Sequence, residues 1–567
     1  MKKFGWGALF LFFIISHLWW LGRFPIGMNH DELEYTLSAK TYFLTGADLS
    51  GAKFPKSIFE TKTEGIISFL PAVILSPYFG LVPINQLTVR LPYLLINFAT
   101  AAGLYYLVKK MFKDKTLAII TSGLFLINPW SFYLSRAAVD SPFSLLFFIL
   151  GILFLIDDSV KKQWLSLIFF VLGFLSYHGA KVIFLPLILV GLLYKLIKKK
   201  TDLKRAGLIL VVSLGVVVGY FGVAEKFFTQ SVNRTRSADI WMLDKDILSE
   251  KVNTERRQVL ENNVEQLFSN KATVITKIFF EKYLTALGPE VLFNFGDPRG
   301  TYRFGDHGLF YLIDLVFIIL GLINLFKKYP KETYFLLGLV LISPLATAVS
   351  RVETSVLNRS FLLMPILIIF VSYGMLSAYK LLGGVGMGLI LVIYLISFLN
   401  FSYFYFFRFP IIGQENYFFS QRLIANYIER SGDKKILVVS QEPREIFLET
   451  VFYSRKNQSE NLKIFVKNQE LILGNVSFVS ECPKFLEKET TYIIEKSKDC
   501  LVNSGKLIKS INEEQFGGPL YVIEQDGLCS DFKLQPWQRY RMKENYLVEK
   551  LNNKDFCENW IRQSLQN

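Results

Sequence analysis

The chain has 567 residues, 51% of them hydrophobic and 16% aromatic, with a mean hydropathy of +0.34. A soluble chain of this length divides into several domains and carries fewer apolar residues; here they come in long blocks, which excludes an ordinary soluble enzyme. The formal charge of +15, from 63 Lys and Arg against 48 Asp and Glu, lies largely in short loops between those blocks, so it reads as membrane orientation and not as nucleic-acid binding.

Met1-Lys2-Lys3 opens an apolar run that reaches Trp20 with no small-residue cleavage site behind it, so the sequence predicts an uncleaved first helix with a cytoplasmic N-terminus. Apolar blocks follow at 88–108, 116–134, 142–156, 163–177, 180–197, 206–224, 308–326, 332–349, 360–378 and 384–404. Alternation then puts Lys109 to Lys115, Lys161-Lys162, Lys195 to Arg205, Lys327-Lys328 and Lys380 in the cytoplasm, as short basic loops require. One more block, Ile66 to Val82, would reverse every later loop if it spanned, and Pro71 and Pro77 interrupt it; it is predicted to lie along the outer face. The expected architecture is therefore a polytopic α-helical membrane protein of about eleven spans.

Three regions face outward: the loop 23–87, the loop 225–307, and everything beyond Phe407. Residues 1–407 form the expected membrane domain and 408–567 an extracytoplasmic domain of small α/β type. In the latter, Lys435 to Val439 and Leu520 to Ile523 read as strands and Phe418 to Arg430 as a helix. All four cysteines (Cys482, Cys500, Cys529, Cys557) fall there, and an even number confined to one outward domain favours disulfides over free thiols. Cys482–Cys500 with Cys529–Cys557 is the simplest of three connectivities.

Asp31 and Glu32 follow the first span directly, in Gly27-Met28-Asn29-His30-Asp31-Glu32, ahead of an amphipathic stretch from Leu33 to Leu44. Adjacent carboxylates at a membrane boundary are costly unless solvated or functional. Inverting sugar transfer needs a carboxylate to take the acceptor hydroxyl's proton, and cations to hold the charge of the departing phosphate. The plainer alternative is an acidic pair favoured at a helix start. Further along, Arg136 and Asp140 lie four apart, as an ion pair on one helix face would. Arg359 lies close to Arg351, His178 sits with Tyr177 at a tight outer turn, and charged runs at Asn233 to Arg236 and Glu255 to Arg257 mark a solvated loop. Asp306-His307 is a metal-like fragment. With four His in the chain and no H-x-x-x-H spacing, a divalent metal is not indicated.

Over roughly residues 1–405 the order of several segments resembles the bacterial relatives of the protein O-mannosyltransferases and the aminoarabinose transferases, lipid-phosphate-sugar glycosyltransferases of the GT-C fold often grouped as family 39 or 83. The segments are Asp31-Glu32 after the first span, Lys62-Thr63-Glu64-Gly65, Asn128-Pro129-Trp130 with Ser135-Arg136-Ala137-Ala138-Val139-Asp140, Gly296-Asp297 with Gly305-Asp306-His307-Gly308, and Ser343-Pro344 followed by Asn358-Arg359-Ser360. Lys62 departs from that family's Lys-Pro-Pro-Leu in being followed by Thr-Glu. The resemblance implies inverting transfer from a polyprenyl-phosphate sugar to an extracytoplasmic lipid, glycan or protein. It makes Asp31 the base, places Glu32 and Asp140 on the acceptor side, and assigns Lys62, Arg136 and Arg359 to the donor phosphate. His178, Asp297, Asp306 and His307 are possible contacts, with no cofactor. A lipid-linked glycan polymerase or ligase would share the spans without the acidic pair, and a transporter would need ionisable residues at mid-span.

Overall fold

The computed structural model describes residues 11–55, 57, 70–227, 244–260, 264–303, 307–350, 355–413, 415–454, 458–498, 500, 506–508, 520–532, 534 and 547–563. The expectations for Met1 to Lys3, Lys62, Asn233 to Arg236, Asp306 and Arg351 lie outside these residues. The chain folds as two compact units: Met1–His17, Pro55–Pro71 and Tyr93–Phe404 form the first, and Leu18–Phe54, Ala72–Pro92 and Tyr405–Asn567 the second.

The first unit is helical. Among the described residues four helices are long and apolar enough to cross a membrane: Gln86–Phe112, Ala180–Ile197, Leu203–Val223 and Leu363–Ile412. Their lengths meet the roughly 20 residues that a bilayer core requires. Lys115–Ile127 and Ser141–Leu155 are shorter apolar helices, as is Leu70–Leu81, most of which falls in the second unit. The last long run is bent at Gly383, whose φ of 69° only glycine adopts cheaply; that break separates the two blocks expected at 360–378 and 384–404. Helices Leu312–Lys328 and Leu363–Tyr403 run close together, and a Cβ on Gly321 would strike the Phe370 carbonyl while one on Gly374 would strike that of Phe317. Small residues that let backbones approach supply much of helix association where there is no water to drive it.

The second unit is built on a seven-stranded mixed sheet of order β2-β3-β1-β4-β6-β5-β7. Its strands are β1 (Lys435–Val439), β2 (Ile472–Leu473), β3 (Val476–Val479), β4 (Thr490–Glu495), β5 (Lys506–Ile508), β6 (Tyr521–Glu524) and β7 (Ile561–Gln563). β1 runs parallel to β3 and β4, with Val438 opposite Phe478 and Ile493, and the pairings of β6, β5 and β7 are antiparallel. β4 is buried at every position, the mark of a strand covered on both faces. Cys482 pairs with Cys500 across 5.6 Å between Cα atoms, and Cys529 with Cys557 across 5.5 Å.

Two stretches from far upstream belong to this unit. The helix His30–Thr45 packs against Pro443–Tyr453 and Gln458–Asn468. It starts where Asn29 caps it: the Asn29 side chain accepts from Glu32 N at 2.8 Å, and Asn29 N donates to Glu32 Oε2 at 3.1 Å, a reciprocal capping box. Gly46, at φ 73°, closes it in the left-handed conformation.

Candidate active site

In the second unit the chain descending from the first helix is held by side chains that come from elsewhere in the sequence. Arg90, fully buried, donates from Nη1 to the carbonyls of Leu21 (3.4 Å) and Pro25 (2.9 Å) and from Nη2 to that of Gly27 (2.6 Å). Its Nε reaches Glu32 Oε1 at 3.3 Å, an ion pair buried on both sides. Arg422 is bidentate to Glu549, at 2.7 Å for both bonds, and also donates to the carbonyl of Ile26. Gln86 Nε2 joins that same carbonyl, at 3.3 Å, to Tyr453 Oη at 3.2 Å. Buried polar groups are costly unless bonded, so these partners fix the path of residues 21–32.

The first helical turn is held in the same way. His30 Nδ1 lies 3.3 Å from Glu445 Oε1, Arg444 pairs with the buried Glu34, and both oxygens of Glu32 are engaged as described. Asp31 sits between His30 and Glu32 and is half-buried. The helix begins at His30, three residues before the stretch expected from the sequence, because the capping box needs Asn29 and Glu32 three apart.

Behind this turn lies Glu449, fully buried, with neither oxygen hydrogen-bonded among the described residues. Burial pushes its carboxyl well above the usual carboxylate range; Arg422 opposes the shift, and Glu32, Glu445 and Glu549 add to it. The folded unit therefore holds this proton more tightly than the unfolded chain does. Folding takes up a proton between the ordinary value of 4.5 and the raised one, so stability falls as pH rises through that window. Glu449→Gln keeps the shape of the protonated form and is expected to flatten this slope, melting above the wild type at alkaline pH. Overlaid melting-temperature profiles from pH 5 to 9 would count against it.

In the first unit the motif segments gather on one short helix, Val356–Arg359. Asp297, completely buried, accepts from Val356 N (2.7 Å) and Leu357 N (2.6 Å) on Oδ2 and from Arg299 N (2.8 Å) on Oδ1. Burial pushes its carboxyl up to about 6, against the pull of those three N–H groups and of Arg299. Trp130 Nε1 donates to the Leu357 carbonyl at 2.8 Å, and Ser141, the residue after Asp140, donates to Asn358 Oδ1 at 2.8 Å. Arg359 donates to Ser350 Oγ, and Lys282 donates to the Ser350 carbonyl at 2.6 Å. Burial, with Arg359 and Lys251 nearby, holds the Lys282 ammonium below its usual range. Two cations thus converge on one residue.

Asp140 is buried at the start of helix Ser141–Leu155. Arg136, also buried, donates to the His17 carbonyl at 2.7 Å and lies over the Phe132 ring. Contrary to what their spacing suggests, Arg136 and Asp140 do not share a helix face. The helix Pro129–Leu134 ends before Arg136 and the next begins after Asp140, so the two lie on a connecting turn. His307 is half-buried, its Nδ1 2.7 Å from the Gly308 carbonyl and its ring against Phe401. His178 is half-buried beside Tyr177, whose ring meets Phe361. Among the described residues no group of three His, Cys, Asp or Glu is placed to hold a metal.

Sequence reasoning missed Arg90, Lys282, Arg444 and Glu449. Arg90 carried a signal, being the one charged residue in the block 88–108, where an isolated ionisable group calls for a partner. Lys282 did not stand out among the many charges of its loop.

No family model matches the sequence, and no curated protein matches it either. Among solved structures the chain is similar to ArnT from Cupriavidus metallidurans bound to undecaprenyl phosphate, at 11% identity and a TM-score of 0.53, over 92% of this chain and 98% of that one. It is also similar to the oligosaccharyltransferase AglB from Archaeoglobus fulgidus in complex with an inhibitory peptide and a dolichol-phosphate, at 12% identity and a TM-score of 0.45, over 87% and 69% of the two chains. Identity this low shows the fold: the chain is a membrane protein with the GT-C fold that its motifs implied.

Proposed function

We propose that this protein transfers a sugar from a polyprenyl-phosphate donor to an extracytoplasmic acceptor with inversion at the anomeric carbon. The observation that carries the reading is the first turn of His30–Thr45, fixed by the pairs that His30, Glu32 and Glu34 make, which holds the half-buried Asp31 in place. The match to an ArnT structure that contains undecaprenyl phosphate supports the donor class.

In the proposed step Asp31 takes the proton of the acceptor hydroxyl as its oxygen attacks the anomeric carbon. The bond from that carbon to the phosphate oxygen breaks, and polyprenyl phosphate leaves with its electrons. Cations stabilise the charge that develops on the leaving group; we assign this to Arg359 with Lys282, and to Arg136 and Lys62. Asp140 serves the acceptor side. Glu32 serves by holding the helix, since its oxygens are occupied by Asn29 and Arg90. Asp297 acts through the helix Val356–Arg359, which it caps, and His178 and His307 stand as further contacts.

Incubating purified protein with a panel of hexosyl and pentosyl polyprenyl phosphates and measuring released polyprenyl phosphate tests the reading; no release from any donor would refute it. Arg359→Ala and Lys282→Ala are each expected to weaken donor binding by about 1.5–3 kcal/mol, the scale of a hydrogen bond to a charged group. Unchanged donor affinity in both variants would make them lipid-headgroup contacts. The proposed orientation, with about eleven spans, is checked by cysteine labelling: Lys199 inside, and Asp31, Asp297 and Thr450 outside. A cytoplasmic Thr450 would remove the site from the side where the acceptor is proposed to lie.

A further inference from the structure

We infer that the helix Pro443–Tyr453 is a positioning element for the reaction, with Arg444 and Glu445 setting the place of the turn that carries Asp31. The inference rests on the reading of Asp31 as the base, and it gives the C-terminal region a part in catalysis.

The argument begins with the sequence of that helix. It starts directly behind β1, with Pro443 in the first turn, where its missing N–H costs nothing. Glu445, Glu449 and Tyr453 are spaced four apart and so share one face. That face meets the Ile26–Glu34 segment along its length. Glu445 pairs with His30, Glu449 lies within electrostatic reach of Glu32, and Tyr453 Oη takes the hydrogen bond of Gln86, which also holds Ile26. Arg444, one residue from Glu445, closes on Glu34. The two pairs therefore grip residues 30 and 34, one helical turn apart, on either side of Asp31.

The approach is close elsewhere too. A Cβ on Gly27 would run into the Tyr417 carbonyl, so the backbone four residues before Asp31 lies directly against the C-terminal part of the unit. Glu34 is fully buried, and its ion pair with Arg444 bridges 410 residues of sequence. A buried pair is weak evidence for stability, because desolvation cancels much of the attraction, but it does fix geometry. Here it fixes the residue one turn beyond the base.

The test measures turnover per donor-binding molecule, together with donor KM, in Arg444→Ala, Arg444→Lys, Glu445→Ala and Glu445→Gln, with Asp31→Asn alongside. The expected result is a kcat lowered roughly 10- to 100-fold in the Ala variants, the cost of a misplacement on the order of 1 Å, with donor KM unchanged. Arg444→Lys is expected to recover part of the loss. Glu445→Gln, at a partly exposed position, supplies the reading if Arg444→Ala fails to fold. Ala variants at wild-type kcat beside a dead Asp31→Asn would overturn the positioning role and leave the base in place. An active Asp31→Asn would overturn the base and this inference with it.

Discussion

Asp31→Asn is expected to lower transfer by about 10²–10⁴-fold, the usual contribution of a positioned general base, while leaving fold and donor binding in place. Asn keeps the shape and hydrogen-bonding capacity of Asp but cannot accept a proton at neutral pH. The cap of the helix is Asn29, with Glu32 completing the box, so Asp31 does not cap the helix and supports its start as a charge near the positive end. That is about 0.3–1 kcal/mol, too small to imitate a catalytic loss. Glu32→Gln is the informative partner. It weakens the pairing to Arg90 and is expected to lower stability more than Asp31→Asn and turnover less. Near wild-type turnover in Asp31→Asn would exclude it as the base, and a Glu32→Gln protein that alone is folded and dead would move the base one residue along.

Arg90→Ala is expected to carry the largest cost in stability, about 3–5 kcal/mol, as for other buried pairs broken on one side. The substitution leaves Glu32 buried and charged, and strips donors from the carbonyls of Leu21, Pro25 and Gly27. Adding Glu32→Gln to it is expected to return part of that loss, because the stranded charge goes while the carbonyls stay unsatisfied. Equilibrium unfolding in detergent, followed by tryptophan fluorescence, measures both. A cost below about 1 kcal/mol for Arg90→Ala, within reach of an exposed ion pair, would show that water takes over its bonds.

Much of this was legible from residue pattern. The strand Lys435–Val439 was predicted with its observed bounds, and the helix Phe419–Ser431 one residue off, because period-two and period-3.6 patterns are local. The pairing of cysteines in sequence order is the one the structure has. The motif segments around Trp130, Asp140, Asp297 and Arg359 were each visible, but their meeting on Val356–Arg359 was not, since three stretches far apart in sequence contribute. What stayed hidden was long-range pairing. Nothing near Glu34 announces Arg444, and nothing near Ile26 announces Arg422; charge on an amphipathic helix reads as solvated until its burial is known. The gathering of residues 18–54 and 72–92 with the C-terminal region is a property of contacts, and no local period encodes it.

That gathering sets a schedule for biosynthesis. Domains fold as units, and N-terminal parts usually fold first while the rest is still being made. Here the helix bearing Asp31 is translated some 400 residues ahead of Arg444 and Glu445, and the Glu549 that anchors Arg422 comes later still. Until residue 444 has emerged, Glu34 has no Arg444, and until residue 549 has emerged, the Ile26 carbonyl has no anchored Arg422. A nascent or truncated chain would hold the spans and the acidic pair but lack the groups that set them in order. Synthesis as far as Glu549 thereby becomes the step that sets the turn in order.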